Sequence, residues 1–315
     1  MDLNRSSNIT SRQTTYSTVR FSLALVFLLT SFIANSLVIC AIYRFRRLRS
    51  CSNLIILNLS VADVLFTLIV APINGSYWAQ NKDTIGVVSC LISAVSSILF
   101  GMVSIYTLVF VSVERFVATN YPLKHRQVFN TKLVRIGVSI IWIWSGLLCG
   151  LPFVLTRYVY IEGFFHCSID WSDNMAFTII FLTCAYLLPV LTLIFCNIYI
   201  FRAVRISQRS RASYLNSQDR RISNTKLWFA RDRKASFCII VIVATFVICW
   251  TPYAIASLEI FLGSHVLPAR FMSAAVLLTI GNASFNPVIY GVMNYKFREA
   301  FRNILCPGNS NVRPF

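Results

Sequence analysis

Seven stretches of the chain run on apolar side chains for twenty residues or more: Phe21–Tyr43, Leu54–Trp78, Ile85–Val113, Ile136–Leu155, Asn174–Phe201, Ala235–Leu258 and Phe271–Asn294. About 20 apolar residues, at about 1.5 Å of rise each, cover the hydrocarbon core of a bilayer, so each stretch predicts a membrane-spanning helix. Only the second holds a charged residue, Asp63. The segments between them are more polar, and alternate ones are strongly basic. The pattern predicts an all-α membrane protein built as a bundle of seven helices. The 315 residues are 57% hydrophobic and 13% charged, with a mean hydropathy of +0.67, a balance unsuited to a water-soluble domain.

Charge gives the orientation. Arg44, Arg46, Arg47 and Arg49, then Lys124, Arg126, Lys132 and Arg135, ten Lys and Arg between Arg202 and Lys234, and finally Lys296, Arg298, Arg302 and Arg313 all fall on one side. The other side carries Arg5, Arg12, Arg20, Lys82, Arg157 and Arg270, balanced by Asp2, Asp83, Glu162, Asp170, Asp173 and Glu259. The excess of Lys and Arg marks the cytoplasmic face, which places the amino terminus outside and the carboxyl terminus inside. The net charge of +18 follows from this asymmetry and calls for no nucleic acid; the basic face suits anionic lipid or an acidic partner. Residues 1–20 read as a polar outer tail without a cleavable signal, so the first span acts as its own insertion signal. The sequons at Asn4 and Asn8 lie in that tail and are glycosylation candidates; Asn74 is a weaker one, and the sequons at Asn58 and Asn282 fall inside spans.

Most of the ten cysteines are scattered through the spans as small hydrophobes. Cys90 and Cys167 differ in facing the oxidising side, where a bridge between them would pin the loop after span four over the bundle. Cys306, on a basic amphipathic stretch after the last span, is a candidate for palmitoylation or a free thiol. The segment from Ile206 to Arg231 is rich in Ser, Arg and Asn and reads as flexible. There is no phosphate-binding glycine loop, no metal-spaced Cys/His set and no internal repeat, and His125, His166 and His265 stand apart from one another.

Several marked residues then occur in order: Asn35 in IANSLV, Asp63 closing NLSVAD, Cys90, VERF around Glu114 and Arg115, Trp142, Pro152, Cys167, Pro189, CWTPY from Cys249 to Tyr253, and NPVIY from Asn286 to Tyr290. Through these the chain resembles the rhodopsin-like G-protein-coupled receptors from the first span to Cys306. The resemblance implies a seven-helix domain over residues 21–293 followed by an amphipathic helix eight and short tail over 294–315. It implies a receptor at the plasma membrane rather than an enzyme, with an extracellular ligand, a heterotrimeric G protein and arrestin as partners beside the lipid bilayer.

A carboxylate at mid-membrane is costly unless it faces the interior and finds partners. In the family the residue matching Asp63 holds sodium, here with Ser104, Asn282 and Asn286. Pro252 and Pro287 each remove a backbone donor within a span and predict hinges. By resemblance Trp250 beside Pro252 is a toggle beneath the ligand, and Tyr290 beside Asn286 and Pro287 repacks toward the cytoplasm. Asn197 stands where the family has a tyrosine that serves the active state, and Tyr199 is on the wrong face to replace it. Along span three, at 1.5 Å per residue, Cys90 lies about 37 Å and Ser97 about 27 Å outward of Arg115, so one rod joins outer loop, pocket and inner rim.

The pocket residues implied are Ser93, Ser97, Trp250, Tyr253 and Ile280. Ser97 replaces the aspartate of monoamine receptors, which disfavours an amine. CSIDW and MNYKFR have an opsin flavour, yet Ile280 occupies the retinal-lysine position, Ser93 the counterion position, and Lys296 lies beyond the span; covalent retinal is not expected. A peptide, a lipid or a small neutral molecule remains, with Glu162, Asp170 and Glu259 available to a cationic one. At the inner rim, Arg115 pairs with adjacent Glu114 and, across the bundle, Asp232, a lock of modest energy if solvated. Leu123, after Pro122, is the hydrophobic plug toward the G protein. The alternatives are a non-covalent or degenerate opsin-like receptor, a transporter, or a non-signalling decoy; a transporter would need an intramembrane charge relay and repeated halves, for which the chain has a single charge and no repeat.

Overall fold

The computed structural model describes residues 2–79, 86–162, 164, 166–214, 222–264 and 266–306, and within its helices all side chains except those of 2–17, 71, 75–79, 204, 207–214 and 222–236. Helix α1 (Asp2–Arg44) is followed by a 3₁₀ turn (Arg46–Leu48), α2 (Cys51–Ala79), α3 (Val87–Asn120), a short α4 (Pro122–Val128), α5 (Thr131–Gly150) and a single turn α6 (Pro152–Leu155). A hairpin of β1 (Tyr158–Ile161) and β2 (His166–Ile169) precedes α7 (Met175–Leu182), a π-helical turn (Thr183–Leu187), α8 (Leu188–Tyr214), α9 (Ile222–Leu262), α10 (Ala269–Met293) and α11 (Tyr295–Leu305). Among the described residues seven helical segments are long and apolar enough to cross a membrane, from Thr18–Arg44 to Ala269–Met293. The protein is a multi-pass, seven-helix membrane bundle.

Three elements depart from the sequence reading. The expected flexible stretch from Ile206 to Arg231 is helical through Tyr214 and again from Ile222, because it holds neither proline nor glycine to stop a helix. The polar residues before Phe21 likewise continue α1 back to Asp2. The loop after span four is ordered as an antiparallel hairpin, with Tyr158 opposite Ile169 and Ile161 opposite His166. Asn4, Asn8 and Asp232 have side chains outside the described set, and His265 lies outside the described residues. Asn74 is buried and accepts a hydrogen bond from Ser93 Oγ at 2.6 Å, a poor position for a sugar acceptor.

Polar side chains stitch the apolar helices together. Asn35 of α1 donates to the carbonyl of Ala283 on α10 at 2.9 Å. Asn58 of α2 donates to Thr107 of α3 and accepts from the Trp142 indole of α5, both at 2.8 Å. In the π turn the carbonyl of Cys184 accepts from Tyr106 of α3 at 2.8 Å, so α3 caps the backbone where the regular helix is interrupted. Exposed Leu25, Val26, Leu29, Phe32 and Ile33 on α1, and Leu191, Ile194 and Phe195 on α8, form the outer apolar surface that lipid would cover.

The hairpin is the outer cover of the bundle. All four residues of β2 are buried, and the Cys90–Cys167 disulfide ties it to α3. Ser168 pairs with Tyr253 of α9 at 2.8 Å, while Phe164 stacks on the same tyrosine with ring centres 4.9 Å apart. His166 is buried beside both rings. Burial strips water from its imidazolium and pushes its pKa down from 6.5 to about 4, partly opposed by a hydrogen bond with the Phe164 backbone. The docked histidine stays neutral where the undocked one takes up a proton. Docking is therefore strongest above pH 6.5 and weakens as the pH falls from 6.5 toward 4. From pH 7 to pH 5 hydrogen-exchange protection of β1 and β2, corrected for intrinsic rates, should weaken by about 2 kcal/mol, and His166→Gln should abolish the change. Equal pH dependence in both proteins would exclude His166 as its source.

Candidate functional site

Beneath the hairpin is a cavity of about 80 Å³. Its α3 wall is the face of Ile98, Gly101, Met102 and Ile105, at the three- and four-residue spacing of one helical side. Phe181, Leu182, Ala185 and Tyr186 close it from the segment around the π turn, Phe246, Trp250, Tyr253, Ala254 and Ser257 from α9, and Trp171 from above. Trp250 and Tyr253 were expected here; Ser93, Ser97 and Ile280 do not line it. Ser97 is one residue, about 100°, around the helix from Ile98. Ser93 is committed to Asn74, and Ile280 is buried in an apolar cluster with Ala24, Ala94 and Val276.

Tyr186 was not legible as a pocket residue. Thr251 Oγ1 donates to the Val247 carbonyl at 2.6 Å, so in its 2.8 Å contact with Tyr186 it accepts and the phenol donates. That bond joins the π turn to α9 at the cavity wall.

Trp250 and Gly101 also border a second, polar cavity with Asp63, Ser104, Asn282, Phe66, Phe100 and Thr279. One indole thus separates an apolar chamber from a polar one. Asp63 is buried and accepts from Asn286 Nδ2 at 3.0 Å. The side-chain oxygens of Asn282 and Asn286 are buried without a protein partner, leaving acceptor oxygens around one carboxylate, the donor set of a hard monovalent cation. The space between Trp250 and Gly101 is closed: a Cβ on Gly101 would lie 2.6 Å from Trp250 Cη2. Farther in, buried Tyr290 stacks on Phe297 of α11 with ring centres 5.6 Å apart, one turn beyond Pro287.

At the inner end of α3, Glu114 is fully buried. Its Oε2 accepts from Ser52 Oγ at 2.6 Å and from Arg115 Nε at 2.9 Å, and its Oε1 meets His125 Nε2 at 2.7 Å. Arg115 also donates to Ser52. The expectation of a solvated pair of modest energy is corrected: with the carboxylate buried, loss of a partner leaves a poorly compensated charge. His125 and Ser52 were missed, since neither stands near Glu114 in sequence. Proline at the first turn of α4 fixes the helix that brings His125 back onto α3. Asn197 donates to the Leu193 carbonyl of its own helix at 2.7 Å, and Tyr199 packs edge-on against Phe116 of α3, 5.9 Å between centres.

The profile of the 7 transmembrane receptor (rhodopsin family) matches residues 34–290. The chain belongs to this family. It is therefore a receptor and not an enzyme. Rat melanopsin is 31% identical over 291 residues, 89% of this chain and 60% of its own. Rat somatostatin receptor type 4 is 32% identical over 290 residues, 88% of this chain and 70% of its own. The chain spans between half and three fifths of the length of melanopsin from rat and melanopsin-B from Xenopus laevis. Squid rhodopsin shares the fold with a TM-score of 0.80 at 23% identity, covering 91% of this chain and 80% of that one.

Two outcomes are expected of this rhodopsin-family receptor. His125→Ala should lower stability by about 1–3 kcal/mol, read from denaturation of the purified receptor, while His125→Gln, which retains a donor, should recover most of it; an unchanged alanine variant would show that α4 is not fastened through Glu114. Gly101→Ala should destabilise by about 1–3 kcal/mol through overpacking, and adding Trp250→Phe, which removes the clashing atoms, should make the double variant less than additive. Strict additivity would contradict the contact.

Proposed function

We propose that this protein is a plasma-membrane receptor, amino terminus outside, that binds an extracellular ligand and activates a heterotrimeric G protein when α9 swings outward. The observation that carries the reading is that α3 presents the wall of the apolar cavity at Ile98–Ile105 and, about 15 Å farther along the same rod, the buried Glu114–Arg115 network. A ligand that shifts Tyr253, just outward of Pro252, or Trp250, just inward of it, acts on α9 at its hinge, and the inner half of α9 moves relative to Arg115. Asp232, on that inner half, is the acid proposed to complete the lock.

On the cytoplasmic side Leu123 is 78% exposed on α4, two residues before the histidine that fastens this helix. It is a fitting hydrophobic plug for a G protein, with arrestin as the second partner of the same surface. Asp63, Ser104, Asn282 and Asn286 are the proposed sodium site, which would hold the inactive form. Helix α11 is strongly amphipathic, burying Phe297 and Ala300 and ending at exposed Cys306, a fitting site for palmitoylation. The melanopsin relatives favour an opsin-like alternative, but Ile280 supplies no amine for a Schiff base, so retinal could occupy the site only without a covalent bond.

In cells carrying a G-protein-dissociation reporter, wild type should show basal or ligand-driven coupling, Arg115→Ala should reduce it at least tenfold, and Asp63→Asn should remove its sensitivity to sodium. Coupling that survives Arg115→Ala unchanged would sink the role given to that arginine.

A further inference from the structure

We propose that the apolar cavity takes a small uncharged molecule, mainly hydrocarbon, that carries a hydrogen-bond acceptor. The proposal rests on the receptor reading only in treating this cavity as the ligand site. Three independent observations lead to it.

The first concerns charge. Among the described residues, none of those lining the cavity is charged. The acids that a cationic ligand would need are engaged elsewhere. Asp170 is held by Arg157 at 3.0 Å and Glu162 has its own partner; Glu259 accepts from the Leu267 amide through Oε1 and, although its buried Oε2 has no hydrogen-bond partner, it lies outside the lining. A charged group brought into the chamber would lose its water and gain no counter-charge.

The second concerns the polar groups that remain. Two hydroxyls in the wall are already spoken for: Tyr186 donates to Thr251, and Tyr253 pairs with Ser168. The indole nitrogens of Trp171 and Trp250 and the hydroxyl of Ser257 are buried and have no hydrogen-bond partner in the protein. An indole N–H can only donate. The Ser257 hydroxyl can donate as well as accept, so the one ligand group that all three can meet is an acceptor such as a carbonyl, ester or ether oxygen.

The third concerns the cover. Trp171 stands two residues beyond the end of β2, and its carbonyl accepts from Thr178 of α7 at 2.9 Å. Together with the disulfide and the Ser168–Tyr253 bond, this anchors the segment above the cavity to three separate helices. A peptide needs an open funnel to lie in, whereas a compact apolar molecule needs only a rearrangement of side chains. The chamber of about 80 Å³ is below the ordinary range of about 300–1,000 Å³ for ligand pockets, so occupancy has to push a wall aside. Met102, unbranched and pliable, is the side chain best able to yield.

The test uses the purified full chain in lipid nanodiscs and three photoprobes differing in charge: benzophenone, its 4-aminomethyl analogue as the ammonium, and its 4-carboxy analogue as the carboxylate. Labelled positions are mapped by mass spectrometry, with lipid-facing Leu191 and Ile194 as the reference for membrane background. Relative to that reference, benzophenone should label Ile98, Met102 or Leu182 at least tenfold more than either charged analogue. Ala185→Trp, which fills the cavity, should remove this labelling; Met102→Ala, which enlarges it, should raise labelling at Leu182 at least twofold, a readout that stands if the tryptophan variant misfolds. Trp171→Phe or Trp250→Phe should cut labelling severalfold. Equal cavity labelling by a charged analogue, or neutral labelling confined to the lipid-facing positions, overturns the proposal. Unchanged labelling in both phenylalanine variants overturns its acceptor half. No G protein is present, so these outcomes are independent of whether the receptor couples to one.

Discussion

Inside a hydrocarbon layer a polar group has no water to turn to, and this constraint organises the bundle. Asn35 reaches from α1 to a carbonyl of α10, Asn58 joins α2, α3 and α5, and Asn286 of α10 donates to Asp63 of α2. Tyr106 of α3 caps a carbonyl in the π turn. Lipid tails are as apolar as leucine, so hydrophobicity alone chooses no neighbour for a helix in a membrane. These few hydrogen bonds supply the specificity, with α2 and α3 taking part in most of them.

The same constraint explains which parts of the molecule were legible in the sequence. Seven spans followed from length and apolarity, and Asp63 was conspicuous as the one charge within them. Family motifs marked Cys90 with Cys167, and Trp250 with Pro252. Contacts that depend on how two remote segments meet had no such signal. His125 lies eleven residues from Glu114, across the turn at Pro122, and Ser52 is on another helix altogether. The π turn was hidden because TCAYL contains no breaker, and its regularity is lost through a backbone shift that apolar composition cannot encode. The resemblance implied Ser93 and Ser97 as pocket residues, whereas the face of α3 that lines this cavity carries Ile98, Gly101 and Met102.

The absence of a side chain at Gly101 has the largest mechanical consequence. It lets the Trp250 ring lie against the α3 backbone, where it forms part of the wall of both cavities. A packed interior passes strain on because it has little free volume to absorb it. An occupant that enlarges the upper chamber presses on a ring whose other side faces Asp63 and Asn282. The two chambers therefore share a wall, and displacement of this ring is the direct route by which the contents of one would alter the other.

At the inner end, the balance of forces differs from what the Glu-Arg sequence alone conveys. Glu114 is held by Ser52, Arg115 and His125 together, so the carboxylate is well compensated while Arg115 remains only partly buried. Releasing Arg115 removes the cation beside a buried carboxylate but leaves it the hydrogen bonds of Ser52 and His125. The arginine can be exchanged between Glu114 and a new partner at a smaller cost than an isolated buried pair would impose. That matters more here than in a chain with a tyrosine at the position of Asn197, since the Asn197 amide is spent on the Leu193 carbonyl of its own helix. Tyr199 of the same helix packs against Phe116, so within this network it is His125, with Ser52, that keeps the Glu114 carboxylate hydrogen-bonded apart from Arg115.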